Sequence, residues 1–178
     1  MRRFSIFFIA SLFLTQQATA ASFQPEHAQT LRALVLSLIN ESREAEGLPA
    51  LLQHDGIEKV AQLHTEDTVA HFDPKSAETR EKSYLAHTSS DGRSLNARYR
   101  DAGVETGWEF AENAGYWTRS RFGDTLDAAT YGLKTIHAGM MAEVPPNDGH
   151  KETILGHFTH IGIGLALLNS EDAEMNAV

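Results

Sequence analysis

Residues 148–164 constrain this chain more than any other stretch. Asp148-Gly149-His150 reads as a loop that delivers a histidine, Lys151 to Leu155 as one helical turn, and the run that starts near Ile161 as a buried strand. Ile161, Ile163, Leu165 and Leu167 put bulky branched side chains on one face of that strand, while Gly162, Gly164 and Ala166 leave the other face nearly bare. Glycine weakens a strand interior, so a bare face implies that another backbone or a helix packs very close. The stretch therefore predicts a sheet covered on both faces.

A chain of 178 residues with 42% hydrophobic content buries one core, which predicts one domain. Residues 1–20 carry Arg2 and Arg3, then the apolar run Phe4–Leu14, then Ala18-Thr19-Ala20. That order predicts an export leader cut after Ala20. The run is too short to span about 30 Å of hydrocarbon comfortably, which argues against a retained anchor. Removing the leader takes away two arginines and no acidic residue, so the formal net charge moves from −9 to −11. Phosphate backbones and anionic lipid headgroups are repelled by such a chain, which excludes nucleic acid as a partner. With no cysteine there is no disulfide, thiolate nucleophile or thiolate metal site.

Leu31, Leu34, Val35, Leu38 and Ile39 fall on one helical face, and Gly47-Leu48-Pro49 is the stop signal for that helix. Asp55 is the expected N-cap of a second helix, along which Ile57, Val60, Ala61, His64 and Thr68 share a side. His64 and His71 stand seven apart rather than at metal-ligand spacing, so both are read as packed or surface histidines. Residues 73–83 are charged and unpatterned, an exposed loop or short solvated helix. Asp91-Gly92 marks a turn just after His87. Leu95, Arg98, Tyr99 and Ala102 give a short helix closed by Gly103. Trp108, Phe110, Tyr116 and Trp117 predict a strand, in which Glu112 needs a partner to offset its burial. A last long helix is expected between residues 124 and 143, broken by Pro145-Pro146 ahead of His150.

The motifs resemble one family. Asn40-x-x-Arg43, Leu48-Pro49-Ala50-Leu51, His87-Thr88-x-x-Asp91-Gly92, Glu112-Asn113, Gly149-His150-Lys151-x-x-Ile154-Leu155 and Ile161-Gly162-Ile163-Gly164 look like the CAP superfamily, also called the SCP domain, in its bacterial, cysteine-free form. The likeness runs from about Leu31 to Leu167. It departs from the family pattern at Val104, where an aromatic is usual. It departs again after Leu155, where the spacing is one residue short and predicts a tightened turn. The resemblance implies an α+β fold, a three-layer α-β-α sandwich around a small, mainly antiparallel sheet, over residues 21–168.

It also implies that His87, Glu112 and His150 converge in a central cavity. Two imidazoles and a carboxylate are a ligand set for zinc or a similar divalent cation, and equally the parts of a general acid–base pair. Family members from animals and plants have a second cavity glutamate; His137 and Glu143 are candidates for it by location alone. Ser89 and Ser90 read as hydrogen-bonding turn residues rather than nucleophiles. The expectation is an exported protein, periplasmic or extracellular, whose cavity binds a small ligand or divalent cation without established catalysis, with no membrane span once the leader is cut. A metal-assisted hydrolase using the same three residues is one alternative. A secreted interaction module with a vestigial cavity is another. Residues 169–178 lose all apolar alternation and carry Glu171, Asp172 and Glu174, which predicts an acidic frayed tail beside an exposed sheet edge.

Overall fold

The structure, a computed structural model, describes residues 4–14, 23–71, 87–104, 109–119 and 125–168. The expected charged segment 73–83 and the acidic tail 169–178 lie outside the described residues, as does Trp108. Nine elements follow in chain order: β1 (Phe4–Leu14), α1 (Pro25–Ala45), β2 (Leu52–Gln53), α2 (Asp55–Ala70), α3 (Leu95–Asp101), β3 (Glu109–Arg119), α4 (Thr125–Met141), α5 (Gly149–Ile154) and β4 (His160–Leu168). Leu31, Val35 and Ile39 of α1 are buried, as the periodicity requires. Gly47, at φ +71°, turns the chain after α1 in a conformation that a side chain disfavours. The cap of α2 is His54, whose Nδ1 accepts the Ile57 N–H at 3.3 Å, so the expected cap Asp55 is the first helical residue instead.

The four strands lie in the order β2-β4-β1-β3, and every pair is parallel. This corrects the expected antiparallel sheet. Each connection between consecutive strands contains a helix and none is a hairpin, which is the connectivity that parallel pairing demands. The apolar run expected as the core of a leader is the interior strand β1. It pairs with β3 from Phe4 opposite Glu109 to Leu14 opposite Arg119, and with β4 from Ser5 opposite His160 to Phe13 opposite Leu168.

The three layers follow from the alternation in β4. A Cβ added to Gly162 would sit 2.2 Å from Glu58 N, and one added to Gly164 would sit 2.3 Å from Ala61 O, so the bare face receives the backbone of α2. Ile161, Ile163, Leu165 and Leu167 on the other face enter one apolar core with Leu31, Val35 and Ile39 of α1 and Ala129 and Leu133 of α4. Ile57, Val60 and Ala61 of α2 form a second core with Tyr99 and Val104, and the Tyr99 ring stacks on Phe110 of β3 at 4.2 Å. The molecule is thus an α-β-α sandwich of the α+β class.

Beyond the two residues of β2, the free edge of β4 is closed by side chains. Ile163 O accepts from Arg32 Nε at 3.0 Å, Leu165 O from Gln62 Nε2 at 2.9 Å, and Leu165 N–H donates to Gln62 Oε1 at 3.0 Å. Along these described residues of β4, α1 and α2 thus supply hydrogen bonds on one side and β1 on the other.

Arg43, fully buried, donates to the carbonyls of Pro49, Ile154, Gly156 and Phe158. It ties the end of α1 to the chain that leaves α5, and with it the turn ahead of β4. Burial pushes its guanidinium pKa down from the ordinary value, a cost offset by the four acceptors. Asn40 pairs with Leu51 in both directions, donating to its carbonyl and accepting its N–H.

Candidate functional site

Glu112 sits on the α2 side of β3. Through β1 its Cα is in register with Gly162, whose face receives α2. Asn113 and Gly115 point the opposite way, where a Cβ on Gly115 would lie 2.6 Å from Ile136 of α4. Two adjacent residues of one strand therefore serve both faces of the sheet.

On the first face the Glu112 side chain is only 2% exposed, and its two oxygens have separate partners. Oε1 lies 2.9 Å from His87 Nδ1, and Oε2 lies 2.5 Å from Arg98 Nη2. The sequence demanded a partner for a carboxylate in an apolar strand, and Arg98 of α3 is the charged one. Arg98 Nη1 is also 3.0 Å from His64 Nδ1 and 3.1 Å from its Nε2. His64 is thereby buried in a polar network on α2 rather than merely packed among apolar groups.

The turn after His87 aims this histidine. Gly92, at φ +84°, donates to Ser89 O, and Ser89 N–H donates to Arg93 O. Asp67 of α2 fastens the turn by accepting the Ser90 N–H at 2.8 Å and the Ser90 hydroxyl at 2.5 Å. Burial pushes the Asp67 carboxyl up, but the two Ser90 hydrogen bonds and the nearby His71 and His64 outweigh it and hold its pKa below the ordinary carboxylate range. Ser89 Oγ faces His64 Nδ1 and Arg98 Nη1, both at 3.4 Å, so it is a turn residue turned inward and does not bond to His87.

His150 lies in the first turn of α5 and pairs with Glu143. Its Nδ1 is 2.5 Å from Glu143 Oε1, and its N–H donates to Oε2 at 3.0 Å. Asp148, at the N-cap of α5, makes no capping side-chain bond, and Glu143 caps the helix from outside it. Burial pushes the Glu143 carboxyl up, but the His150 side-chain bond and charge, with the N–H groups of His150 and Lys151, bring its pKa below the ordinary value. Asn113 Nδ2 donates to the His150 carbonyl at 2.9 Å and so fastens this dyad to β3 beside Glu112.

The expected trio is therefore rearranged into two histidine–carboxylate dyads, His87 with Glu112 and His150 with Glu143. Both oxygens of Glu112 are hydrogen-bonded, Oε1 to His87 and Oε2 to Arg98. Among the described residues no three His, Asp or Glu side chains are grouped to hold a metal ion. Of the two candidates for the fourth position, Glu143 joins the site and His137 does not. His137 is buried between α4 and α1, its Nε2 is 2.9 Å from Ser42 Oγ, and burial lowers its pKa.

In each dyad Nδ1 faces a carboxylate, and the imidazole is partly open to solvent, 60% exposed for His87 and 41% for His150. Such an arrangement offers the Nε2 side of both rings to whatever enters from outside. The family model of the cysteine-rich secretory protein family, CAP, matches residues 36–173. The chain belongs to the CAP family. No curated protein and no solved structure matches it.

The CAP match spans both dyads and the elements that hold them, from the second half of α1 through β4. In this CAP domain the sequence reading missed Arg98 as the counter-ion of Glu112. The signal was available in principle, since a strand carboxylate needs a cation and Arg98 stands on the apolar side of a short helix. It also assigned Glu143 by location alone, because nothing in a local pattern says which carboxylate faces which imidazole.

Proposed function

We propose that this CAP-domain protein is exported and binds a small ligand or a divalent cation through the imidazoles of His87 and His150. The observation that carries the reading is that each ring has its Nδ1 on a glutamate. A carboxylate at Nδ1 fixes the orientation of a histidine and raises the basicity of its other nitrogen, which is the outer-shell pattern of metal-ligating histidines. The residues fit a cation in that respect, with His87 and His150 as donors and Glu112 and Glu143 as their supports. A bound cation would supply Lewis acidity there. The sign of the protein's charge, −9 over the whole chain, favours a cation over an anion.

Export is supported by the order of Arg2 and Arg3, the apolar run and Ala18-Thr19-Ala20. No helix among the described residues is long and apolar enough to cross a membrane. Before processing, that apolar run occupies the sheet as β1.

Titration calorimetry of the purified protein with Zn²⁺ tests the binding reading. Binding that His87→Ala and His150→Ala each weaken by about tenfold or more is expected. Equal affinity in both variants and the wild type would remove it. A second reading, a metal-assisted hydrolase, draws on the same dyads, since an imidazole backed by a carboxylate is a general base. It requires metal-dependent turnover of a peptide or ester that His87→Ala abolishes.

A further inference from the structure

One guanidinium holds both halves of the His87–Glu112 dyad. Arg98 Nη2 reaches Glu112 Oε2 at 2.5 Å, and Arg98 Nη1 donates to the backbone carbonyl of His87 at 3.3 Å. The Arg98 side chain is 5% exposed and that of Glu112 is 2% exposed, so neither group has water as an alternative partner. A guanidinium offers only donors, and an ionised carboxylate offers only acceptors. Both hydrogen bonds therefore point into Glu112: Arg98 Nη2–H donates to Oε2, and His87 Nδ1–H donates to Oε1. A neutral imidazole whose proton is on Nδ1 keeps Nε2 as a bare lone pair.

We propose that Arg98 is a positioning residue: it claims an acceptor of residue 112 for itself and so decides which end of that side chain faces His87, which with the native carboxylate is an acceptor that keeps Nε2 unprotonated toward solvent. This rests on the reading of His87 as the ligand-facing imidazole. Arg98 does not itself reach the ligand. It aims one oxygen of Glu112 at the ring while holding the ring's own backbone, so both ends of the dyad move together or not at all.

The substitution Glu112→Gln makes the role visible, because an amide has one acceptor and one donor end. With Arg98 present, the amide must turn its oxygen to the guanidinium and its NH₂ to His87. Nδ1 then has to accept, and the proton moves to Nε2. In the double variant Arg98→Met with Glu112→Gln that demand is gone, and the amide is free to turn its oxygen back to His87.

The readout is the ¹⁵N chemical shift of the ring nitrogens in the full chain labelled at histidine, followed upward in pH until the shifts stop changing, so that the neutral ring is read. A His87→Gln sample assigns the signal. The wild type is expected to show the Nδ1–H tautomer, Glu112→Gln the Nε2–H tautomer, and the double variant a return of Nδ1–H in a measurable share of molecules. An Nε2–H ring in the wild type, or an unchanged ring in Glu112→Gln, overturns the proposal. So does a double variant identical to Glu112→Gln. If the double variant fails to fold, the Glu112→Gln spectrum alone decides, since a residue with a merely structural role would not reverse the ring. No ligand enters the measurement, so a wild type that ignores Zn²⁺ would remove the binding reading and leave this result standing.

Discussion

Glu143 grips His150 twice, its Oε1 at 2.5 Å from the ring Nδ1 and its Oε2 accepting the backbone N–H at 3.0 Å. One carboxylate thereby orients an imidazole and caps the helix that carries it. The ring cannot swing without disturbing the first turn of α5, and α5 cannot fray without losing the ring's anchor.

Substitution of Glu143 by alanine should lower stability by about 1–3 kcal/mol, because hydrogen bonds to a charged group are lost together with a helix cap. The carboxyl pKa lies below its ordinary value of 4.5 in the folded protein. Its contribution is thus fully present above about pH 4.5 and disappears as pH falls through the lowered folded-state value. Urea midpoints of wild type and Glu143→Ala should differ at pH 7 and converge in acid. A constant difference at all pH values would contradict the assignment.

Alanine at Gly162 or Gly164 should be poorly tolerated. The new Cβ would lie 2.2 Å from Glu58 N in the first case and 2.3 Å from Ala61 O in the second, both backbone atoms of α2 that cannot give way cheaply. A loss of about 3 kcal/mol is expected from this overpacking, read as a fall in melting temperature. Unchanged melting of both variants would mean that α2 does not rest on β4 so closely.

Arg43→Met keeps the apolar stem and removes the donors to four carbonyls. The expected loss is at least about 3 kcal/mol, since several buried acceptors are left unpaired. Arg43→Lys should recover only part of it, because a single ammonium cannot reproduce the fork that spans Pro49, Ile154, Gly156 and Phe158. Full recovery by lysine in thermal denaturation would show that charge alone matters there.

Removal of residues 1–20 should change the sheet itself. β1 pairs along its whole length with β3 and along most of it with β4, so its loss strips the facing backbone rows of both. A chain starting at Ala21 is expected to melt lower than the full chain and to self-associate with rising concentration, because unpaired strand edges seek partners. Size-exclusion chromatography across a concentration series and melting curves of the two forms check this. Identical behaviour would show that β1 contributes nothing to the assembled sheet.

What the sequence by itself determined is what depends on neighbours along the chain. The helical faces of α1, α2 and α4 could be read from the spacing of Leu31, Val35 and Ile39, of Ile57, Val60 and Ala61, and of Ala129 and Leu133. The two-sided packing of β4 could be read from Gly162 and Gly164 alternating with isoleucine and leucine. That Glu112 must be paired followed from its apolar strand. Only the tertiary structure decided the rest. Strand direction depended on where the chain re-enters the sheet, and the parallel order placed residues 4–14 in its middle. His150 proved to pair with Glu143, and Glu112 with His87 and Arg98. The physical reason is that periodicity is enforced locally by backbone geometry, whereas an ion pair or a strand neighbour is chosen by which distant groups meet in a desolvated space where neither can turn to water.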